Sequence, residues 1–404
     1  MIHVCYGLND KNGTYSKFTG TSILSMFENT KEKITLHIFH DNTLMPENRN
    51  NFIKIADTYN QTVKFYNFDE LCPEKIQYLR EKLGSVFESR FSVGTFYRLM
   101  INKNFFGDNV SKIIYLDSDT VVNLDIAELW NYDLTNYPLA AVPEFEATRG
   151  YIQKNKYILN TGIVEVNDYL CAGIIMLNLE KLEDDFFYKG VQWLADNPNC
   201  ECFDQDILNY FFSKNYLKLP EKFNSFVNVC KVIEQNIIYN KIYHYAGRGC
   251  LGMAPDEHNK LFLKYFAKTP WFNPNIFEKF YNAAKEMRNN KKKLGYEILN
   301  LMNGKQRAFF TFAPLAALIK NYFQLKKSDE LIVVNENGSL EPLAKALRKS
   351  KNKKIFFIMV DNYEMVKNFL IQSGFKENEN FINATMFVPN HEQQDFSFWI
   401  IEDL

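Results

Sequence analysis

Hydrophobic positions near the start of the chain alternate between short continuous runs and spaced stripes. Ile2 to Tyr6 is a run of the kind a buried strand carries, and a polar stretch with Gly7, Asn9, Asn12 and Gly13 follows it. Gly20 to Phe27 has helical spacing, Ile34 to Phe39 alternates as a strand does, and Pro46 to Tyr59 opens on a helix-starting proline before Phe52, Ile53 and Ile55. Val63 to Tyr66 is another short strand. This β-α-β-α-β rhythm predicts a parallel sheet covered by helices. Further on, Ser92 to Phe106 is helical in pattern. The apolar strand Lys112 to Leu116 then stops abruptly at Asp117-Ser118-Asp119, and strands are expected at Leu139–Val142, Cys171–Leu177 and Lys241–Tyr245. A second β-α-β-α series begins at Leu331–Val334, continues with a helix to Arg348 and a strand Ile355–Val360, and ends with a helix to Ser373. The expected organisation is an α/β domain over residues 1–270, a basic and partly amphipathic helical segment over 271–328, and a small Rossmann-like α/β domain over 329–404.

Composition narrows the class. At 46% apolar and 24% charged residues, the 404-residue chain is neither disordered, collagen-like nor a coiled coil. Lys+Arg number 47 against 48 Asp+Glu, so no overall charge points to nucleic acid as a partner. The seven cysteines are odd in number and lack C-x-x-C spacing, which fits reduced thiols in a cytoplasmic protein better than a disulfide framework or a zinc site. The apolar start is too short for a signal peptide. The longest later apolar run, Phe309 to Ile319, is interrupted by Pro314 and falls short of the ~18 residues that span a bilayer. That run lies within Lys285–Lys327, where ten Lys/Arg face two acids, a local net charge of +8. Segregated charge bracketing an aromatic run predicts docking on an anionic membrane surface, at the inner face of the cytoplasmic membrane, with the Phe309–Ile319 face inserted.

The candidate chemistry lies at Asp117-Ser118-Asp119. A D-x-D is weak evidence alone, since twenty Asp in the chain make about one expected by chance. Two occur, at 117–119 and 204–206. The first follows an apolar strand of an α/β sheet, and ligands bind outside the carboxyl ends of such strands. Two carboxylates there, with no basic neighbour in sequence, would repel each other unless a divalent cation bridged them to phosphate oxygens. The structural alternative is a pair of acids capping a helix that begins near Asp125.

The order of segments resembles the family-eight retaining glycosyltransferases, the group of bacterial lipopolysaccharide hexosyltransferases and glycogenin-like enzymes. The matching pieces run through residues 1 to about 270: Asn9-Asp10, Gly20-Thr21-Ser22-Ile23, Thr95-Phe96-Tyr97-Arg98-Leu99, Ile114 to Asp119, Ala172 to Leu179, Asp204-Gln205-Asp206-Ile207-Leu208-Asn209 and His244-Tyr245-Ala246-Gly247. The resemblance implies a GT-A fold that binds a nucleotide sugar. Asp117 and Asp119 would hold Mn²⁺ (or Mg²⁺), with His244 as the third protein ligand. Tyr6, Asn9 and Tyr15 would form the uridine pocket, and Ser118, Gly247 and Arg248 would add donor contacts. Arg98 would sit near the donor phosphates or brace the first aspartate. Asp204 would bind donor hydroxyls, Gln205 would lie near the anomeric carbon, and Asp206 would be structural. Glu144 could face the acceptor. The implied activity is transfer of glucose or galactose from a UDP-hexose to a glycan or lipid-linked glycan, such as lipopolysaccharide or lipooligosaccharide.

Two positions depart from the family pattern. Cys171 stands where Asn is usual, and Cys250 replaces the phosphate-binding Lys, with Arg248 or Lys260 as candidate substitutes. Two other functions compete. The stretch Ile113–Val121 also fits the first motif of haloacid-dehalogenase-like phosphatases, with Asp117 as nucleophile and Asp119 as acid/base. The two departures also suit a non-catalytic sugar-nucleotide-binding protein.

Overall fold

The computed structural model describes residues 1–84, 93–107, 109–144, 157–227, 238–246, 257–275, 305–312, 327–334, 340–350, 354–360 and 363–384, and the single positions 282, 316 and 325. The chain divides into two compact units, the first covering chiefly residues 1–272 and the second chiefly 273–400.

The first unit is built on a seven-stranded sheet. Its strands are β1 (Ile2–Leu8), β2 (Ile34–His40), β3 (Thr62–Asn67), β4 (Lys112–Leu116), β6 (Leu139–Pro143), β7 (Leu170–Asn178) and β8 (Leu217–Lys218). They lie in the order β3-β2-β1-β4-β7-β6-β8. β1 to β4 are mutually parallel, as the sequence rhythm predicts, whereas β7 runs antiparallel to both β4 and β6. Strand order reverses between β1 and β4, so the crevice above their carboxyl ends is the switch point where α/β folds bind ligands. β7 is buried on both faces, which explains its nearly unbroken apolar sequence.

Helix Thr14–Asn29 follows the β1 loop. It starts at Gly13, whose φ of 72° only glycine adopts without strain. Most of this helix is buried, so its Thr and Ser hydroxyls must find partners inside the protein. They find them on the segment after β4. Thr19 Oγ1 donates to Ser118 Oγ at 2.8 Å, Ser22 Oγ lies 2.7 Å from Thr120 Oγ1, and Ser25 Oγ accepts from the Val122 amide at 2.9 Å.

A three-stranded sheet joins β5 (Thr120–Val122), β10 (Ile242–His244) and β9 (Ser225–Phe226) in the order β5-β10-β9. Antiparallel register sets His244 opposite Thr120 and Ile242 opposite Val122, and the Tyr245 amide extends the ladder to the Asp119 carbonyl at 2.8 Å. This pairing carries a histidine from far along the chain to the aspartate turn.

The continuous helix expected over 92–106 is not present. Its described part is a 3₁₀ turn at Val93–Phe96, a single α-turn at Tyr97–Met100 and a second 3₁₀ turn at Lys103–Phe105. Asn102 breaks the run by capping the last turn, its Oδ1 accepting the Asn104 amide at 3.0 Å.

The second unit has an all-parallel sheet of β12 (Glu330–Val334), β11 (Gln306–Phe312), β13 (Lys354–Met359) and β14 (Phe381–Asn383), in that order. β11 corrects the expected helical segment. Residues 306–312 form a central strand, and Ala308, Phe309, Phe310 and Thr311 are fully buried in it. Those phenylalanines pack into cores on the two faces of this sheet, so they are not available for insertion into a membrane. Most of Lys285–Lys305 and the apolar remainder after Phe312 lie outside the described residues. Among the described residues, no helix is long and apolar enough to cross a membrane.

Candidate functional site

Asp117 and Asp119 flank Ser118 in the short turn between β4 and β5. The Asp117 amide donates to the Gly173 carbonyl at 2.8 Å, and its own carbonyl accepts from Thr120 Oγ1 at 2.9 Å. Both carboxylates keep about a third or less of their surface exposed, at 26% and 31%, so they are reachable but sheltered. His244 is almost fully buried, and its Nε2 lies 3.3 Å from Asp119 Oδ1 and 3.7 Å from Asp117 Oδ2. One ligand atom from each of the three residues falls within a 4.8 Å cluster. Two carboxylate oxygens and an imidazole nitrogen are a competent donor set for Mn²⁺ or Mg²⁺. The backbone makes room for them at Gly173. A Cβ there would lie 2.3 Å from His244 Cε1, 2.8 Å from its Nδ1 and 3.1 Å from Asp117 Oδ2.

The electrostatics are those of a strongly coupled centre. Burial alone would lower the His244 pKa, but the Asp119 carboxylate outweighs it and holds the ring well above its ordinary value. Burial tends to raise Asp119, and the same imidazole draws it below the usual carboxylate range. Asp117 sits above that range, through desolvation and the like charge of Asp119, against the pull of Arg98 and His244.

Arg98 lies behind the aspartates as a buried hub. Its guanidinium donates to Asp117 Oδ1 at 2.6 Å and to the Ala172 carbonyl at 2.5 Å, and it rests over the Tyr115 ring at 4.4 Å. Its Nε lies 3.0 Å from Asp204 Oδ2 but is not aligned as a hydrogen bond. The arginine therefore braces the first aspartate and ties it to the second acidic motif. Burial pushes the Asp204 carboxyl up to about 7, opposed by Arg98 and reinforced by Asp117.

Asp204, Gln205 and Asp206 open helix Phe203–Phe212. Gln205 is oriented from both ends. Its Oε1 accepts the Ala172 amide at 3.0 Å, and its Nε2 donates at 3.2 Å to both Glu144 Oε2 and Tyr169 Oη. Tyr169 in turn donates to Asp206 Oδ1 at 2.6 Å, while Asp206 Oδ2 accepts the Glu201 and Cys202 amides. Asp206 thus pins the start of the helix, and Glu144, buried at the end of β6, stands beside the Gln205 amide.

The expected uridine-side residues divide. Asn9 follows β1 and donates to the buried Asp41 carboxylate at 2.5 Å; that carboxylate also accepts from Tyr97 Oη and from Thr43. Tyr6 is fully buried and bonds to Ser22 across 2.9 Å, so its ring belongs to strand–helix packing and only its backbone is left for a ligand. Tyr15 is half exposed and sits edge-on to Phe18. The Ser118 hydroxyl is buried against Thr19. Asp125 caps its own short turn by accepting the Ala127 amide, so Asp117 and Asp119 are not needed as caps there. Gly247, Arg248 and Cys250 lie outside the described residues, and Lys260 is paired with Glu257 at 2.6 Å on an exposed helix face. Reading the motifs alone did not single out Gly173, Tyr169 or Asn224. A glycine inside an otherwise bulky apolar strand does mark a close backbone approach, and Gly173 could have been found on that ground.

An acidic pair and an imidazole thus lie together outside the carboxyl end of a central strand, at the switch point where α/β folds bind ligands. The chain belongs to glycosyl transferase family 8, a family of hexosyltransferases, whose model matches residues 3–249. A Haemophilus influenzae protein assigned to the glycosyltransferases is 32% identical over 213 residues, which are 52% of this chain and 60% of that protein. The lipopolysaccharide 1,3-galactosyltransferase of Salmonella typhimurium is 24% identical over 308 residues, covering 72% of this chain and 86% of its own. The crystal structure of the galactosyltransferase LgtC, in complex with donor and acceptor sugar analogs, superposes with a TM-score of 0.51 at 19% identity, over 69% of this chain and all of that one. This last likeness shows the fold, which is of the GT-A kind. Family membership also removes the phosphatase alternative for Asp117.

Proposed function

We propose that this chain moves a hexosyl group, glucose or galactose, from a UDP-sugar to a hydroxyl of a glycan acceptor, with retention at the anomeric carbon. The observation that carries this reading is the convergence of Asp117, Asp119 and His244 within 4.8 Å beside the Asp204–Gln205 helix end. Those three side chains would hold Mn²⁺ or Mg²⁺. A divalent cation supplies Lewis-acid neutralisation of the charge that grows on a departing diphosphate. Arg98 keeps Asp117 and Asp204 in fixed relation, so the diphosphate side and the sugar side of the site are positioned together. Asp204 takes donor hydroxyls, and the doubly tethered Gln205 amide lines the anomeric carbon. The Asn9 loop receives the uridine, and Glu144 faces the acceptor.

An amide is a poor nucleophile, and the Asp204 carboxylate is engaged by Arg98, so a covalent double displacement lacks an evident attacking group. Front-face substitution fits better. In that step the bond from the anomeric carbon to the diphosphate breaks, the bond to the acceptor oxygen forms on the same face, and the acceptor proton passes to the leaving oxygen. The Salmonella relative is named for lipopolysaccharide. On that likeness we take the acceptor to be a lipopolysaccharide, lipooligosaccharide or other surface glycan, free or lipid-linked. The cysteines among the described residues are free and mostly buried, which fits action in the cytoplasm.

A panel of UDP-, GDP- and ADP-sugars with Mn²⁺, read as nucleotide release, tests the reading. Release from a UDP-hexose that stops with EDTA and in Asp119→Asn is expected. Binding of UDP and Mn²⁺ with no turnover of any donor would instead identify a non-catalytic sugar-nucleotide binder.

A further inference from the structure

The His244 imidazole is held on its far side by an amide. Nδ1 lies 3.0 Å from Asn224 Oδ1, while Nε2 faces the two aspartates. Asn224 and His244 are only 1% and 4% exposed, and the Phe226 ring stacks on the imidazole with centroids 5.1 Å apart. A neutral imidazole carries one proton. If the ring is to ligate a cation through Nε2, that proton must stay on Nδ1, and a buried N–H needs an acceptor. The Cys171 thiol also acts on the ring electrostatically, but sulfur is a weak acceptor, so the amide oxygen decides the tautomer.

Asn224 is itself fixed in place. It follows the 3₁₀ turn Glu221–Phe223, and its backbone amide donates to the Glu221 carbonyl at 3.0 Å. It also leads directly into β9, whose register sets Phe226 beside His244. Its Nδ2 is buried with no partner among the described residues. A buried donor left unpaired is costly, and the cost falls on the residue that turns its carbonyl toward the imidazole.

We propose that Asn224 is a positioning residue of the metal centre: its side-chain carbonyl fixes the Nδ1-protonated tautomer of His244 and so presents the Nε2 lone pair, with Asp117 and Asp119, to a divalent cation. The inference rests on the metal-assisted function proposed above. With the amide turned the other way, Nδ2 would donate to Nδ1, the ring proton would move to Nε2, and the histidine could not ligate.

Mn²⁺ affinity in the presence of UDP, measured from the spin resonance signal of free Mn²⁺, tests it in the wild type, Asn224→Leu and Asn224→Asp. Leucine keeps the branched shape without the acceptor and is expected to weaken Mn²⁺ by roughly 10–100-fold. Aspartate keeps the acceptor and is expected to stay within about threefold of wild type or to bind tighter. Thermal melting without metal checks that each variant folds. Asn224→Leu binding as wild type does, or Asn224→Asp binding as poorly as a folded Asn224→Leu, overturns the inference alone. Absence of Mn²⁺ binding in the wild type overturns the proposed function and this inference with it. Should Asn224→Leu fail to fold, the wild type carries the test. Long-range ¹H–¹⁵N spectra of histidine-labelled protein with Mg²⁺ and UDP are expected to show His244 protonated at Nδ1, and a proton on Nε2 overturns the proposal.

Discussion

Replacing Gly173 by alanine perturbs the site by a single methyl group. The new Cβ would stand 2.3 Å from His244 Cε1 and 2.8 Å from Nδ1, distances that real Cβ atoms do not show. Neither neighbour yields cheaply. The imidazole is stacked on Phe226 and bonded to Asn224, and Gly173 lies inside β7, which is hydrogen-bonded on both sides. Restoring an ordinary contact requires a movement of about 1 Å, against a tolerance of about 0.2 Å in metal–ligand distance. The expected result is loss of His244 as a ligand and a fall in kcat/KM of about 10²-fold, which corresponds to ~2.7 kcal/mol in the barrier. Overpacking should also lower stability, by roughly 1–3 kcal/mol. Gly20→Ala separates the two effects. Its Cβ would meet Trp271 Cζ3 at 2.1 Å, so it overpacks the same unit without touching the aspartates or the histidine. Donor turnover and Mn²⁺ affinity are measured for both variants at matched folded fractions. If Gly173→Ala retained wild-type Mn²⁺ affinity and turnover, or if Gly20→Ala lost both equally, the argument from close approach would be wrong.

Two other substitutions probe the same unit. Arg98→Met removes the cation shared by Asp117 and Asp204 and leaves two sheltered carboxylates without it; a stability loss of about 3–5 kcal/mol is expected from denaturant unfolding, together with loss of turnover, and a loss under 1 kcal/mol would contradict the hub role. His37 is 1% exposed, and burial, then His3 and Lys64, depress its pKa to about 3, so the folded protein keeps this ring neutral where the unfolded chain protonates it. Its contribution is therefore complete above about pH 6.5 and declines as pH falls toward 3, amounting to about 2 kcal/mol lost by pH 5. Hydrogen exchange in β1 and β2 at pH 7 and pH 5 should show that loss in wild type and a smaller one in His37→Gln; equal losses would refute the assignment.

The parts of the molecule that were legible in the sequence are those encoded locally. Period-2 and continuous apolar runs marked β1, β2 and β4 because each strand buries its own residues, and the helix starting at Pro46 carries its start signal in that residue. The broken segment 93–105 was not legible as such, because its apolar spacing suits a helix while the Asn102 side chain competes for the backbone. β11 was obscured differently. Its Lys305 and Arg307 read as part of a basic, membrane-docking stretch, yet Phe309 and Phe310 are buried on opposite faces of a sheet whose neighbouring strands come from residues further along the chain.

The site shows the same division. Asp117 and Asp119 announce themselves by ending an apolar strand, but no local signal in the sequence brings His244 to them. That is done by the antiparallel register of β10 on β5, which is set by pairing over more than a hundred residues. The supporting residues are harder still to read, because their types are ordinary and their partners are distant. Asn224 could be any loop asparagine until its carbonyl is seen against an imidazole, and Tyr169 could be any core tyrosine until its hydroxyl is seen between Gln205 and Asp206. The two aspartates proposed as ligands were recognisable from their residue type at a strand end. The groups proposed to orient the site became recognisable only when the fold placed a buried donor opposite a buried acceptor.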